Sequence, residues 1–187
     1  MSDQCKDLAA DRALGDLWER HFTDLALRYG RSFTRHQFRR STSAVAMKGA
    51  KAYTLPDVTI WSAPGEHHEI KHKNPTRWNA FGLEVYRWEA LLWFWNECKQ
   101  SVWYTIHRWD LSPDGRDGRL NRMEDWWTCS VPKLERAMRR KQHRILPGYS
   151  WIAGEEQRTK ICYWPVSLWT PLEKVWESIK VSEVHDG

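Results

Sequence analysis

The chain has little cysteine, and none of it is paired in sequence: Cys5, Cys98, Cys129 and Cys162 stand far apart among 187 residues, and no Cys-x-x-Cys offers half of a zinc site. A secretory leader is missing as well, because Met1 to Leu17 is polar and acidic, without a basic n-region or an apolar h-region. Together these absences imply an intracellular, cytoplasmic protein with reduced thiols. Long hydrophobic runs are also lacking. The most apolar stretch, Ala90 to Trp95, is bounded by Glu89, Asn96 and Glu97 and falls far short of the roughly 20 residues a bilayer span needs, so no membrane is implied. Gly-x-Gly-x-x-Gly, a Walker loop and Gly-x-Ser-x-Gly are absent, which removes the motif grounds for nucleotide hydrolysis and serine hydrolase chemistry. Without internal repeats or low-complexity tracts, a solenoid or fibrous fold is excluded too.

What is present fits a globular chain. Hydrophobic residues make up 41% and charged residues 28%, and a chain of this length buries roughly 70% of its unfolded surface around one core. The expectation is a single domain over 1–187, with a core over about 12–106 and a basic C-terminal extension around 132–144. Fourteen tryptophans are the compositional oddity. Trp18, Trp88 and Trp95 fall on apolar helical faces and Trp61 and Trp103 in strands, as core residues would. Trp78 and the Trp126-Trp127 pair are the ones placed to stack on bases.

Leu14, Leu17, Trp18, His21, Phe22, Leu25 and Tyr29 recur at helical spacing before Gly30, which predicts a helix over about 12–29. A strand-like arm over 31–38 and a basic, flexible loop over 39–54 follow. Asp57–Trp61 and His67–Lys73 read as two strands of a hairpin. After the break at Asn74-Pro75-Thr76, the spacing of Phe81, Val85, Trp88, Leu92 and Trp95 predicts a helix over 79–99. Then come a strand over 101–106, a turn-rich loop over 110–121, a basic helix over 132–143 and a late strand over 161–166. That order describes an α/β fold with a mixed central sheet flanked by helices.

The chemistry concentrates in the hairpin. Side chains alternate along a strand, so Glu69 and Lys71 share a face, and a hairpin brings Asp57 beside them. Two converging carboxylates repel unless a cation lies between them, and hard oxygen donors select Mg²⁺ or Mn²⁺. A lysine beside them is placed to orient or deprotonate an attacking water, or to hold charge on a pentavalent phosphorus. The competing reading is a strand face whose charges are merely solvated.

Pro56-Asp57 followed by Glu69-x-Lys71 in the next strand resembles the PD-(D/E)XK nuclease superfamily, which includes restriction endonucleases and archaeal-type Holliday junction resolvases. The resemblance implies a restriction-endonuclease-like fold and Mg²⁺-dependent hydrolysis of DNA, with Mn²⁺ able to substitute. Asp57 and Glu69 would be metal ligands, Lys71 the catalytic lysine, and Glu19 on the first helix a further or water-mediated ligand. A homodimer cutting two strands is implied, and the small size favours shape-directed action on branched DNA over reading a long site. Compact nucleases of this kind resemble phage or mobile-element products. The alternatives are a restriction or nicking nuclease, or a noncatalytic nucleic-acid-binding module.

Two other clusters carry less. His67, His68 and His72 do not share one face, and Asp110 to Asp114 mimics the opening of a calcium loop whose twelfth position, Asn121, is the wrong ligand. The formal charge of +5 is matched by the single segment 133–144, where Lys133, Arg136, Arg139, Arg140, Lys141 and Arg144 face one Glu135. Arg136, Arg139 and Arg140 share a helical face that either tracks phosphates or is simply solvated. Lys48 and Lys51 precede the motif, Lys73 and Arg77 follow it, and Arg87 lies in the next helix. All five are candidate nucleic-acid contacts.

Overall fold

The computed structural model describes residues 8–36, 44–46, 52–54, 56–61, 65–73, 75–108, 126–152 and 155–185. Helix α1, Leu8–Arg28, buries Trp18, Phe22, Leu25 and Ala26. It stops at Gly30, whose φ of 71° is the left-handed conformation glycine adopts freely. There Arg31 N–H donates to Ala26 O and Gly30 N–H to Leu27 O, both at 2.9 Å, the paired bonds of a Schellman cap. Strand β1, Phe33–Arg35, follows.

The expected loop over 39–54 is corrected at its described residues: β2, Ala44–Ala46, and β3, Ala52–Thr54, pair antiparallel, with the strand-favouring types Val45 and Tyr53 opposite each other in register. The central sheet continues with β4, Val58–Ile60, and β5, Glu66–His72, the expected hairpin. The helix expected over 79–99 is also corrected. Ala80–Glu84 form strand β6, and α2 runs only over Val85–Cys98. Tertiary burial decides this, because Ala80 to Leu83 are buried on a second sheet.

Strand β7, Ser101–His107, lies parallel to β5, and β8, Trp126–Ser130, pairs antiparallel with β7. Helix α3, Val131–Arg139, is the basic helix, shorter at its C-terminal end than expected. The late strand is one arm of a long hairpin, β9 over Arg144–Ile152 and β10 over Glu155–Pro165. After one 3₁₀ turn come β11, Thr170–Pro171, and α4, Leu172–His185. Neither the first arm of that hairpin nor α4 has an expected counterpart in the sequence pattern. The expected turn-rich loop over 110–121 lies outside the described residues.

The result is a mixed α/β fold. A six-stranded sheet, β1-β4-β5-β7-β8-β11, is covered on both faces. On one, Trp18, Phe22, Val58, Ile60, Ile70, Trp126, Leu172 and Trp176 join α1 and α4 to the sheet. On the other, Phe81, Leu83, Trp88, Leu91, Tyr104, Ile106, Leu134 and Trp164 join α2, α3 and the three-stranded sheet β6-β10-β9. No helix is long and apolar enough to cross a membrane among the described residues. Two tryptophan expectations are reversed: Trp126 is fully buried, whereas Trp61 is 61% exposed and donates its indole N–H to Thr34 Oγ1.

Candidate active site

The β4–β5 ladder aligns Val58 with His68, Thr59 with His67 and Ile60 with Glu66. One further step in that register sets Asp57 across from Glu69. Asp57 Oδ2 is fixed there by the Ile70 backbone N–H at 2.7 Å. Alternation along β5 sends Ile70 into the α1 side of the core, while Glu69 and Lys71 turn to the α2 side. Lys71 Nζ lies 2.5 Å from Glu69 Oε1 and 3.6 Å from Asp57 Oδ2. From α2, Arg87 donates to the same Glu69 oxygen at 2.9 Å. Glu69 is 4% exposed and Asp57 19%, so these charges meet in a largely dry recess with one open side.

The electrostatics separate the two carboxyls. Burial and then the neighbouring Glu69 push Asp57 up to about 7, against the opposing pull of Lys71 and the Ile70 N–H, and Glu19 adds a smaller upward push. Burial also raises Glu69, but Lys71 and Arg87 outweigh it and hold that carboxyl below its usual range. Burial lowers Lys71, yet Asp57 and Glu69 more than reverse this, so its amine is held charged. Of the three roles open to it from sequence, deprotonating water is therefore disfavoured at neutral pH, and orienting water and stabilising charge are the two compatible with a charged amine.

Asp57, Glu69 and Lys71 are thus brought together as the motif requires. Glu19 is near enough to act on Asp57, but its carboxylate is held by Arg35 at 2.9 Å, with Asp16 a further 3.8 Å partner of the same guanidinium. Arg87, expected as a backbone contact to DNA, is ion-paired with Glu69 at 2.9 Å. Lys73 turns inward and donates to Gly82 O at 2.8 Å, sharing that carbonyl with the Tyr104 hydroxyl at 2.8 Å. This makes it a brace of the site, and burial lowers its pKa. Arg77 is exposed beside Trp78, and Arg136, Arg139 and Arg140 are exposed at the end of α3. Lys48 and Lys51 lie outside the described residues.

The histidines separate as alternation requires. His67 bonds Thr59 Oγ1 at 2.9 Å and Gln100, His68 bonds Glu66 and Thr105, and His72 pairs with His107. Glu66 is held low against burial by His68, Arg31 and Trp176, a buried network on the face opposite the site. The bond from Lys73 to the Gly82 carbonyl went unseen in the sequence, since it depends on β6, which the helical period of its neighbours concealed.

Among the described residues, no three histidine, cysteine or acidic side chains converge as a ready metal cage. The donor set of Asp57 and Glu69 nonetheless fits Mg²⁺, which is commonly held by one or two carboxylates with water and substrate phosphate filling the rest. Burial first, and Glu69 second, raise Asp57, and both penalties on its ionised form would be relieved by a cation held between the two carboxyls.

No family model matches the chain, and no curated protein matches it. Among solved structures, it is similar to a Holliday junction resolvase of the archaeal hyperthermophile Archaeoglobus fulgidus, at 14% identity and a TM-score of 0.47, over 87% of this chain and 95% of that one.

Proposed function

We propose that the protein is a Mg²⁺-dependent DNA endonuclease, with branched DNA as its favoured substrate and a homodimer as the form that cuts two strands. The observation that carries this reading is the convergence of Asp57, Glu69 and Lys71 from adjacent strands in one recess. Asp57 and Glu69 would hold the ion, which would supply electrophilic charge at the scissile phosphate. Lys71, kept charged, stabilises negative charge developing on the phosphorus oxygens and orients water for in-line attack. Arg87 holds the Glu69 carboxylate ionised and aimed. Arg77, Arg136, Arg139 and Arg140 offer exposed charge for backbone phosphates.

One observation favours the noncatalytic DNA-binding alternative: Lys71 and Arg87 already compensate Glu69. A cleavage assay separates the two readings. With Mg²⁺ or Mn²⁺ present, wild-type protein should cut supercoiled DNA or a four-way junction. Lys71→Ala and Asp57→Ala should each lose about a hundredfold or more in rate while retaining binding. Wild-type protein that binds but cuts with neither metal establishes the noncatalytic module. Cutting at the wild-type rate by both variants removes the site assignment.

A further inference from the structure

Away from the carboxylates, a cleft of about 280 Å³ opens between β6, the end of β10 and the turn from α3 into β9. Its walls pair aromatic and cationic groups: Trp78 and Tyr163 on one side, Lys141, Gln142, His143 and Arg144 on the other. No carboxylate lines it among the described residues. Trp78 is 40% exposed, held edge to face by Tyr163 at 5.8 Å, with the Arg77 guanidinium 5.8 Å from its ring centre. His143 lines the cleft with its Nδ1 turned away from solvent.

The backbone at the edge of the cleft is left-handed, as it also is at Lys99 after α2. Lys141 adopts φ 57° at the end of α3, where Gln142 N–H donates to Ala137 O at 2.8 Å and Lys141 N–H to Met138 O at 2.9 Å. That is the glycine position of a Schellman cap, and a lysine there costs stability that glycine would not. That residue lines the cleft. The approach is basic too, since exposed Arg136 and Arg140 lead along α3 to Lys141, with Arg139 beside them paired to Glu135.

We propose that this cleft is a binding subsite for single-stranded DNA, taking one unstacked nucleotide: its base on Trp78, its phosphate on Lys141 and Arg144, and its polar edge on Gln142 and His143. Stacking on an aromatic face combined with cationic contact to the backbone is how single strands are held. β6 joins the two sites, because it runs from Ala80 in the cleft to Glu84 beside Arg87, roughly 13 Å along the strand. A branch or frayed end held in the cleft would thereby be set at a fixed distance from Asp57 and Glu69. The proposal rests on the chain acting on DNA, but not on its cutting DNA.

The test is fluorescence anisotropy of a labelled oligothymidine of about twelve nucleotides, without metal, in an Asp57→Asn background. Trp78→Ala should weaken binding about tenfold while Trp78→Phe keeps most of it. Lys141→Gly should leave the melting temperature unchanged or raised, yet weaken binding and flatten the dependence of log affinity on log salt by about 0.7. Parental affinity in both Trp78→Ala and Lys141→Gly overturns the subsite. Loss of affinity in Lys141→Gly with its stability intact supports it, because misfolding is then excluded. A protein that never cuts DNA but shows these dependences keeps the subsite and loses the nuclease reading, whereas one that cuts without them does the reverse.

Discussion

At Asp57 two demands conflict: the fold buries a carboxyl beside a second carboxyl, and only part of the resulting repulsion is met by Lys71 and the Ile70 N–H. A group raised from 3.8 to about 7 takes up a proton on folding anywhere between those values. Its contribution to stability is thus greatest at low pH and is lost as pH rises through that window. In metal-free protein, Asp57→Asn should therefore melt at least ~3 °C above wild type at pH 8, with little difference at pH 4. Melting curves at the two pH values check this, and an equal difference at both would show that Asp57 is not strained. Asp57, Glu69 and Lys71 were legible in sequence because strand alternation and a hairpin suffice to bring them together. Arg87 and Lys73 were not, since both look like ordinary surface cations until α2 and β6 place them against Glu69 and Gly82.

Among elements, β6 links most parts of the site. Its Gly82 carbonyl anchors Lys73 and Tyr104, and its backbone passes so close to β10 that a Cβ on Gly82 would meet Tyr163 Cε1 at 2.6 Å and Ile161 Cγ2 at 2.9 Å. The ring on one side and a branched carbon on the other leave no easy retreat. Gly82→Ala should cost about 1–3 kcal/mol in urea unfolding at unchanged m-value, with loss of DNA binding at the Trp78 cleft that Tyr163 helps to build. A variant as stable as wild type would mean that β6 and β10 are not packed so tightly. This strand was hidden in the sequence because Phe81 and Val85 continue the apolar period of the helix behind it. The strands of the motif and helices α1 and α3 were legible, α1 from its apolar period and Gly30 stop, whereas the end of α3 was placed too late because no stop residue follows it. The β9 arm and α4 were not, for their pairing partners are distant in the chain.

For the whole molecule, the tryptophans divide by layer. Trp18, Trp126 and Trp176 fill one face of the central sheet and Trp88, Trp164 and Trp169 the other, while among the described residues Trp61 and Trp78 are the largely exposed ones. Composition indicated aromatic abundance, and only the two-sided packing of the sheet decides which rings are free. Charge divides similarly, with exposed arginines on α3 and beside Trp78, and the carboxylates recessed between β4, β5 and α2. A polyanion can lie on the former while an ion enters the latter. The most direct test of that account is anomalous diffraction from crystals of the protein soaked in Mn²⁺. The account predicts a peak bonded to both Asp57 and Glu69, with Lys71 displaced from their shared space, and its loss in Asp57→Asn. Glu69 still bridged by Lys71 and Arg87, with no peak between the carboxylates, would contradict it.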